Sequence, residues 1–142
     1  MQVSQVMSRD LEFADPADDA RALAEMMGEL DVGSVPIGTA ENPLGIVTDR
    51  DILFRVVARG LEPSSVLARD IMSAPLLECD PDDNLDTALA IMAAQHVRRL
   101  AVRSPDGPIV GWITLADLSR RLLLGSGSLQ NALTEISSDS AA

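Results

Sequence analysis

Apolar residues recur at helical spacing in two stretches of the chain: Leu23, Met26, Met27 and Leu30, then Leu85, Ala88, Leu89 and Met92. Such spacing lines one face of a helix, so each stretch predicts an amphipathic helix. Two apolar runs of strand length follow each one, Ser34–Ile37 with Leu44–Val47, and Arg99–Val102 with Ile109–Ile113. Gly-Thr-Ala-Glu-Asn-Pro and Arg-Ser-Pro-Asp-Gly-Pro separate the members of each pair and read as hairpin loops. Short strands at Leu11–Phe13 and Leu76–Glu78 lead to Asp15-Pro16 and Asp80-Pro81. Asp at the N-cap and Pro at the first helical position predict helix starts there, with Asp18 and Asp83 at the positive end of the dipole. A second helix closes each series, over Asp49–Ala58 and Leu115–Leu124, with Gly60 and Gly125 placed to stop it. Arg59–Ser65 reads as a linker and Val66–Met72 as a short lead-in helix.

The two series are copies of one unit. Met7-Ser8, Leu11, Asp15-Pro16, Asp18, Met27 and Val32 recur sixty-five positions later as Met72-Ser73, Leu76, Asp80-Pro81, Asp83, Met92 and Val97. After one inserted residue in a turn-rich loop, Gly45-Ile46-Val47-Thr48-Asp49-Arg50-Asp51 matches Gly111-Trp112-Ile113-Thr114-Leu115-Ala116-Asp117. The fold class is therefore α+β, a β-α-β-β-α repeat occurring twice. The repeats span residues 6–60 and 66–125, and residues 126–142 form a C-terminal tail with a short helix predicted over Ser128–Ile136.

Composition narrows the function. The 142 residues carry a net charge of −11, and all eleven bases are arginine. The acids are spread over both halves, so they read as a solvated shell that repels phosphate backbones and anionic lipid. Nucleic acid and membrane are therefore not expected partners. No apolar run approaches the ~18–20 residues of a membrane span, and the N-terminus lacks the pattern of a signal peptide. The single cysteine, Cys79, has no partner for an internal bridge, which fits a reducing, cytoplasmic compartment. Its counterpart in the first copy is Ala14, which marks it as a small buried residue. His96 is the only histidine and its counterpart is Asp31, so a helix-end role is expected. No CxxC, HExxH or metal-ligand spacing occurs, no nucleophile–base pair is visible, and an enzyme is not expected.

The paired motifs resemble the cystathionine-β-synthase (CBS) domain, a regulatory module that occurs in tandem. The resemblance rests on Met-Ser at the start, Asp-Pro before the helix, and Gly-hydrophobic-x-Thr-x-x-Asp at the end of the third strand. It runs from about Val6 to Leu124. It implies two repeats packed sheet to sheet with pseudo-twofold symmetry, two clefts between them, and assembly into a dimer. In the family such clefts often bind adenosine nucleotides, which makes AMP, ADP or ATP the candidate ligands. A free-standing pair implies a regulatory, nucleotide-sensing role exerted through a partner protein; the alternative is a ligand-free dimerisation scaffold.

The residues support a site of their own. Thr48 and Thr114 fall at a strand-to-helix junction, where backbone N–H groups favour an anion. Asp51 and Asp117 follow one turn later and can accept from both hydroxyls of a ribose. Thr-x-x-Asp is equally a capping box, in which both residues serve only the helix. Arg50 in the first motif, and Arg98-Arg99 before the second copy's strand, offer guanidinium groups to phosphate. The resemblance adds Pro36 and Ile37 in the first copy and Ala101 in the second as wall residues against the base. The second copy departs from the family's hydrophobic-Pro-hydrophobic stretch with Leu100-Ala101-Val102. The second helices carry Ile52, Leu53, Phe54, Val56 and Val57, then Leu118, Leu122, Leu123 and Leu124. That is more apolar surface than one face can bury, and it predicts a homodimer.

Overall fold

A computed structural model of the chain describes residues 1–122 and 134–136. The chain forms two compact units. Among the described residues, one is Glu12–Leu76; the other joins Met1–Leu11 to those from Leu77 on.

In the first unit, α1 (Ala20–Leu30) is followed by an antiparallel pair, β1 (Ser34–Gly38) and β2 (Pro43–Thr48). Then come α2 (Asp49–Ile52), a π-helical turn at Leu53–Val57, and α3 (Ala68–Ile71). Leu23, Met27, Val35, Ile37, Val47, Val56 and Ile71 fill its core, with Val32 packed against them. The second unit carries β3 (Glu78–Cys79), α4 (Leu85–Gln95), β4 (Arg99–Arg103), β5 (Ile109–Thr114) and α5 (Leu115–Leu122). Its sheet runs β3-β4-β5, parallel then antiparallel. Met92, Leu100, Val102, Ile113 and Leu118 fill that core, with Val97 against it. Met27 and Met92, and Val32 and Val97, thus have matching surroundings. Strands β2 and β5 alternate between buried and half-buried residues, so each buries one face and not the whole strand as a core run would.

Helix starts differ from the expectation. Asp15-Pro16 and Asp80-Pro81 form turns, not helical first turns. The Asp15 carboxylate accepts from Ala17 N–H at 2.8 Å, and Asp18 reaches back to Asp15 N–H at 3.0 Å. Asp80 and Asp83 repeat the arrangement. This local bonding competes with helix, and the caps fall later: Asp19 accepts from Ala22 N–H and Asn84 from Thr87 N–H. Both helices end on a left-handed residue, Asp31 (φ 54°) and His96 (φ 55°). His96 is exposed and serves as a C-cap.

The short strand before α1 is also reduced, to a single bridge between Ala14 and Ile37. In the second unit Ala101 N–H donates to the Leu77 carbonyl, which extends the parallel pairing. The corresponding residue in the first copy is Pro36, which has no N–H to donate.

Each repeat's opening Met-Ser lies in the unit built by the other repeat. Ser8 pairs with Trp112 through two backbone bonds of 2.8 and 2.9 Å, and Ser73 pairs in the same way with Ile46. Sequence repeats and folded units therefore divide the chain differently. Gly45 and Gly111 make the exchange possible: a side-chain carbon at Gly45 would lie 2.5 Å from the Ser73 carbonyl oxygen, and one at Gly111 closer still to that of Ser8. The expected helix Ser128–Ile136 lies outside the described residues except for Thr134–Ile136, which are helical. Leu123, Leu124 and Gly125 also lie outside them.

Candidate functional site

Each Thr-x-x-Asp motif sits where a hairpin's second strand turns into a helix. Thr48 ends β2 with extended backbone (φ −107°, ψ 164°) and its Oγ1 accepts from Asp51 N–H at 3.2 Å. Asp51 Oδ2 returns the favour to Thr48 N–H at 2.9 Å. Thr114 and Asp117 do the same at 3.1 and 3.0 Å. Both motifs are capping boxes, so the helical role is realised in each. Each carboxylate keeps its second oxygen for an arginine. Asp51 Oδ1 faces Arg55 Nε at 3.7 Å, and Asp117 Oδ1 accepts from Arg120 Nη2. The Asp51 and Asp117 side chains are 12% and 18% exposed, enough for an edge to face solvent.

Arg55 and Arg120 are members of these clusters that the motif alone does not reveal. Their signal is the i,i+4 and i,i+3 spacing from an acidic residue on a helix. Arg55 also donates to the Ile71 carbonyl at 2.8 Å, tying the end of α3 to the motif. Arg50 is elsewhere: its guanidinium lies 5.0 Å from the centre of the Phe54 ring, and the residue is exposed. Arg99 stands directly across the hairpin from Thr114, with its guanidinium 5.9 Å from the Trp112 ring. Arg98 is exposed, and its carbonyl accepts the first amide of α5, from Leu115, at 2.7 Å. In the first copy the residue across from Thr48 is Ser34, which is buried. Pro36, Ile37 and Ala101 are buried on β1 and β4.

Gly45 and Gly111 admit the close approach of the chain's own Ser73 and Ser8. Among the described residues no group of three His, Cys, Asp or Glu is placed to hold a metal ion. Cys79 is buried, and its thiol is pushed up to about 12 by that burial, with Asp83 and Asp80 adding to the effect.

The repeated strand-to-helix geometry has a counterpart in known sequences. The family model for the CBS domain matches twice, over residues 3–58 and 68–124. The chain belongs to the CBS-domain family. An uncharacterised protein of Methanopyrus kandleri is 35% identical over 117 residues, which are 82% of this chain and 60% of that one. The chain thus spans about three fifths of that relative's length. Hypoxic response protein 1 of Mycobacterium tuberculosis is 34% identical over 102 residues, 71% of either chain. A CBS-domain protein of Pyrobaculum aerophilum, solved in complex with AMP, shares the fold with a TM-score of 0.77. It is 24% identical, over 90% of this chain and 99% of that one. Among the described residues no helix is long and apolar enough to cross a membrane.

Proposed function

We propose that this CBS pair is a cytoplasmic regulatory module, not an enzyme, that binds an adenosine nucleotide and acts through a partner protein. The observation that carries this is the repetition of one constellation, a part-exposed Asp bonded to a Thr at a strand-to-helix junction, in both copies. The AMP complex of the Pyrobaculum protein supports the ligand class. In this reading Asp51 or Asp117 accepts from the ribose hydroxyls, and the phosphate lies over Thr48 or Thr114. Arg99 and Arg98 supply positive charge beside Thr114, whereas Arg50 lies over Phe54 and would have to leave that ring to reach a phosphate at the first motif. Pro36, Ile37 and Ala101 line the base.

Thermal melts with AMP, ADP, ATP, NAD(H) and S-adenosylmethionine test it. A ligand at 100 times its Kd adds about 2.7 kcal/mol and raises Tm. Asp51→Ala or Asp117→Ala should cost about 1–2 kcal/mol of stability through the lost cap. For a nucleotide site, one of them should also weaken affinity about 10- to 100-fold, because a charged hydrogen bond is lost. Unchanged affinity in both variants would leave the carboxylates as caps only.

A further inference from the structure

Each opening Met-Ser pair is held to its sheet by one isolated bridge. Ser8 exchanges two backbone bonds with Trp112, Ser73 two with Ile46, and both serines are exposed. The methionine before each serine supplies the rest of the attachment. Met7 Sδ lies 3.0 Å from the place a side-chain carbon on Gly111 would take, and Met72 Sδ 3.2 Å from the corresponding place on Gly45. Each thioether thus fills the hollow a glycine leaves, beside a serine carbonyl that already accepts a strand amide. Both methionines are half-buried, Met7 packed against the second unit's core and Met72 against the first's. The other four are placed differently. Met27 and Met92 are buried, Met26 packs half-buried on α1, and Met1 is exposed.

We propose that Met7 and Met72 are oxidation sites, and that their conversion to the sulfoxide by a peroxide releases the two Met-Ser edges. A peroxide oxygen passes to the sulfur lone pair, the O–O bond breaks, and water leaves. The thioether is oxidised and the peroxide reduced. The product is a larger, polar group on a side chain that had packed as a hydrocarbon. Its new oxygen is an acceptor set beside the serine carbonyl, another acceptor. Burying such a group without a donor is costly, and a bridge of two bonds has little to set against it. Met27 and Met92 lie too deep for the oxidant, and Met1 is already open to solvent. The assignment is independent of the nucleotide reading.

Treating the full chain with hydrogen peroxide and mapping its peptides by mass tests the assignment. Met7 and Met72 should gain oxygen before Met27 and Met92. The amides of Ser8, Trp112, Ser73 and Ile46 should then exchange with deuterium about tenfold faster or more, and Tm should fall by roughly 3–10 °C. Trp112 is the chain's only tryptophan, so its emission should shift to the red as the Met7 edge leaves. Methionine sulfoxide reductases acting on both epimers should reverse these changes. Met7→Leu combined with Met72→Leu keeps the apolar volume and should fold, yet lose the response. Met26→Leu and Cys79→Ala should each keep it, since neither residue belongs to an edge. Oxidation that spares Met7 and Met72, or oxidised wild-type edges whose amides exchange as before, overturns the assignment. So does a response that survives in the double variant or vanishes in Cys79→Ala.

Discussion

Cys79 shows how little a side chain needs to do to be held in place. It and Ala14 occupy matching positions beside Val102 and Ile37, and both are buried. The thiol is kept neutral by burial next to Asp83 and Asp80. Its pKa is raised on folding, so the unfolded chain loses the proton first as pH rises. Its contribution is complete below pH 9.0 and is lost as pH climbs towards about 12. Thermal melts should show a decline in Tm across that window that is smaller in Cys79→Ala. The native thiol should also resist alkylation near neutral pH, where the thiolate is scarce. At this scale the Thr and Asp positions were legible because their spacing is fixed by the helix itself. The arginines were harder. Arg50 lies inside the motif, next to Asp51, yet a one-residue step turns about 100° around a helix. It points to Phe54, whereas Arg55, a full turn on, meets Asp51.

Among the elements, the strands after each helix were plain in the sequence, since two short apolar runs separated by a turn-rich loop, repeated in both copies, have few alternatives. The helix starts were not. Asp-Pro is compatible with a helix cap and with a turn, and the bonds from Asp18 and Asp83 decide for the turn. Nor could an apolar run reveal that Pro36 would shorten its neighbour, because the missing amide matters only once the parallel partner is known. The exchanged Met-Ser segments give a test at this scale. Gly45→Ala and Gly111→Ala should each destabilise by about 1–3 kcal/mol, because backbone must move to admit the methyl group. That should lower Tm by roughly 3–10 °C. Gly28→Ala, on the exposed face of α1 with nothing within 4 Å, should instead stabilise by about 0.4–1 kcal/mol. Melting the three variants side by side separates a steric requirement from a general effect of alanine.

For the whole molecule, the repeat made the architecture legible, because eight matches in register outweigh any one motif. A surface suited to association was visible only in outline. Val56 turns into the core at the π-helical turn, while Leu53, Phe54 and Val57 remain 51%, 52% and 58% exposed, with Leu61 nearby at 46%. The bonds from Ala58 to Leu53 and from Leu61 to Val56 give this turn its wider pitch. We expect this patch to pair with a second copy of the chain. Light scattering at micromolar concentration should give twice the chain mass, and Phe54→Glu should reduce it to the monomer. A wild-type monomer would defeat the expectation.

The exchange of opening segments has a further consequence for how the chain comes into being. The Glu12–Leu76 unit has all its strand partners once Ser73 has been synthesised. Residues 1–11 find their partners only later, Gln2 at Asn84 and Ser8 at Trp112. A ribosome thus delivers the head of the chain long before the place that holds it, and the order of folding departs from the order of synthesis. For the same reason, a chain severed in the linker would give two fragments, each carrying the other's missing edge.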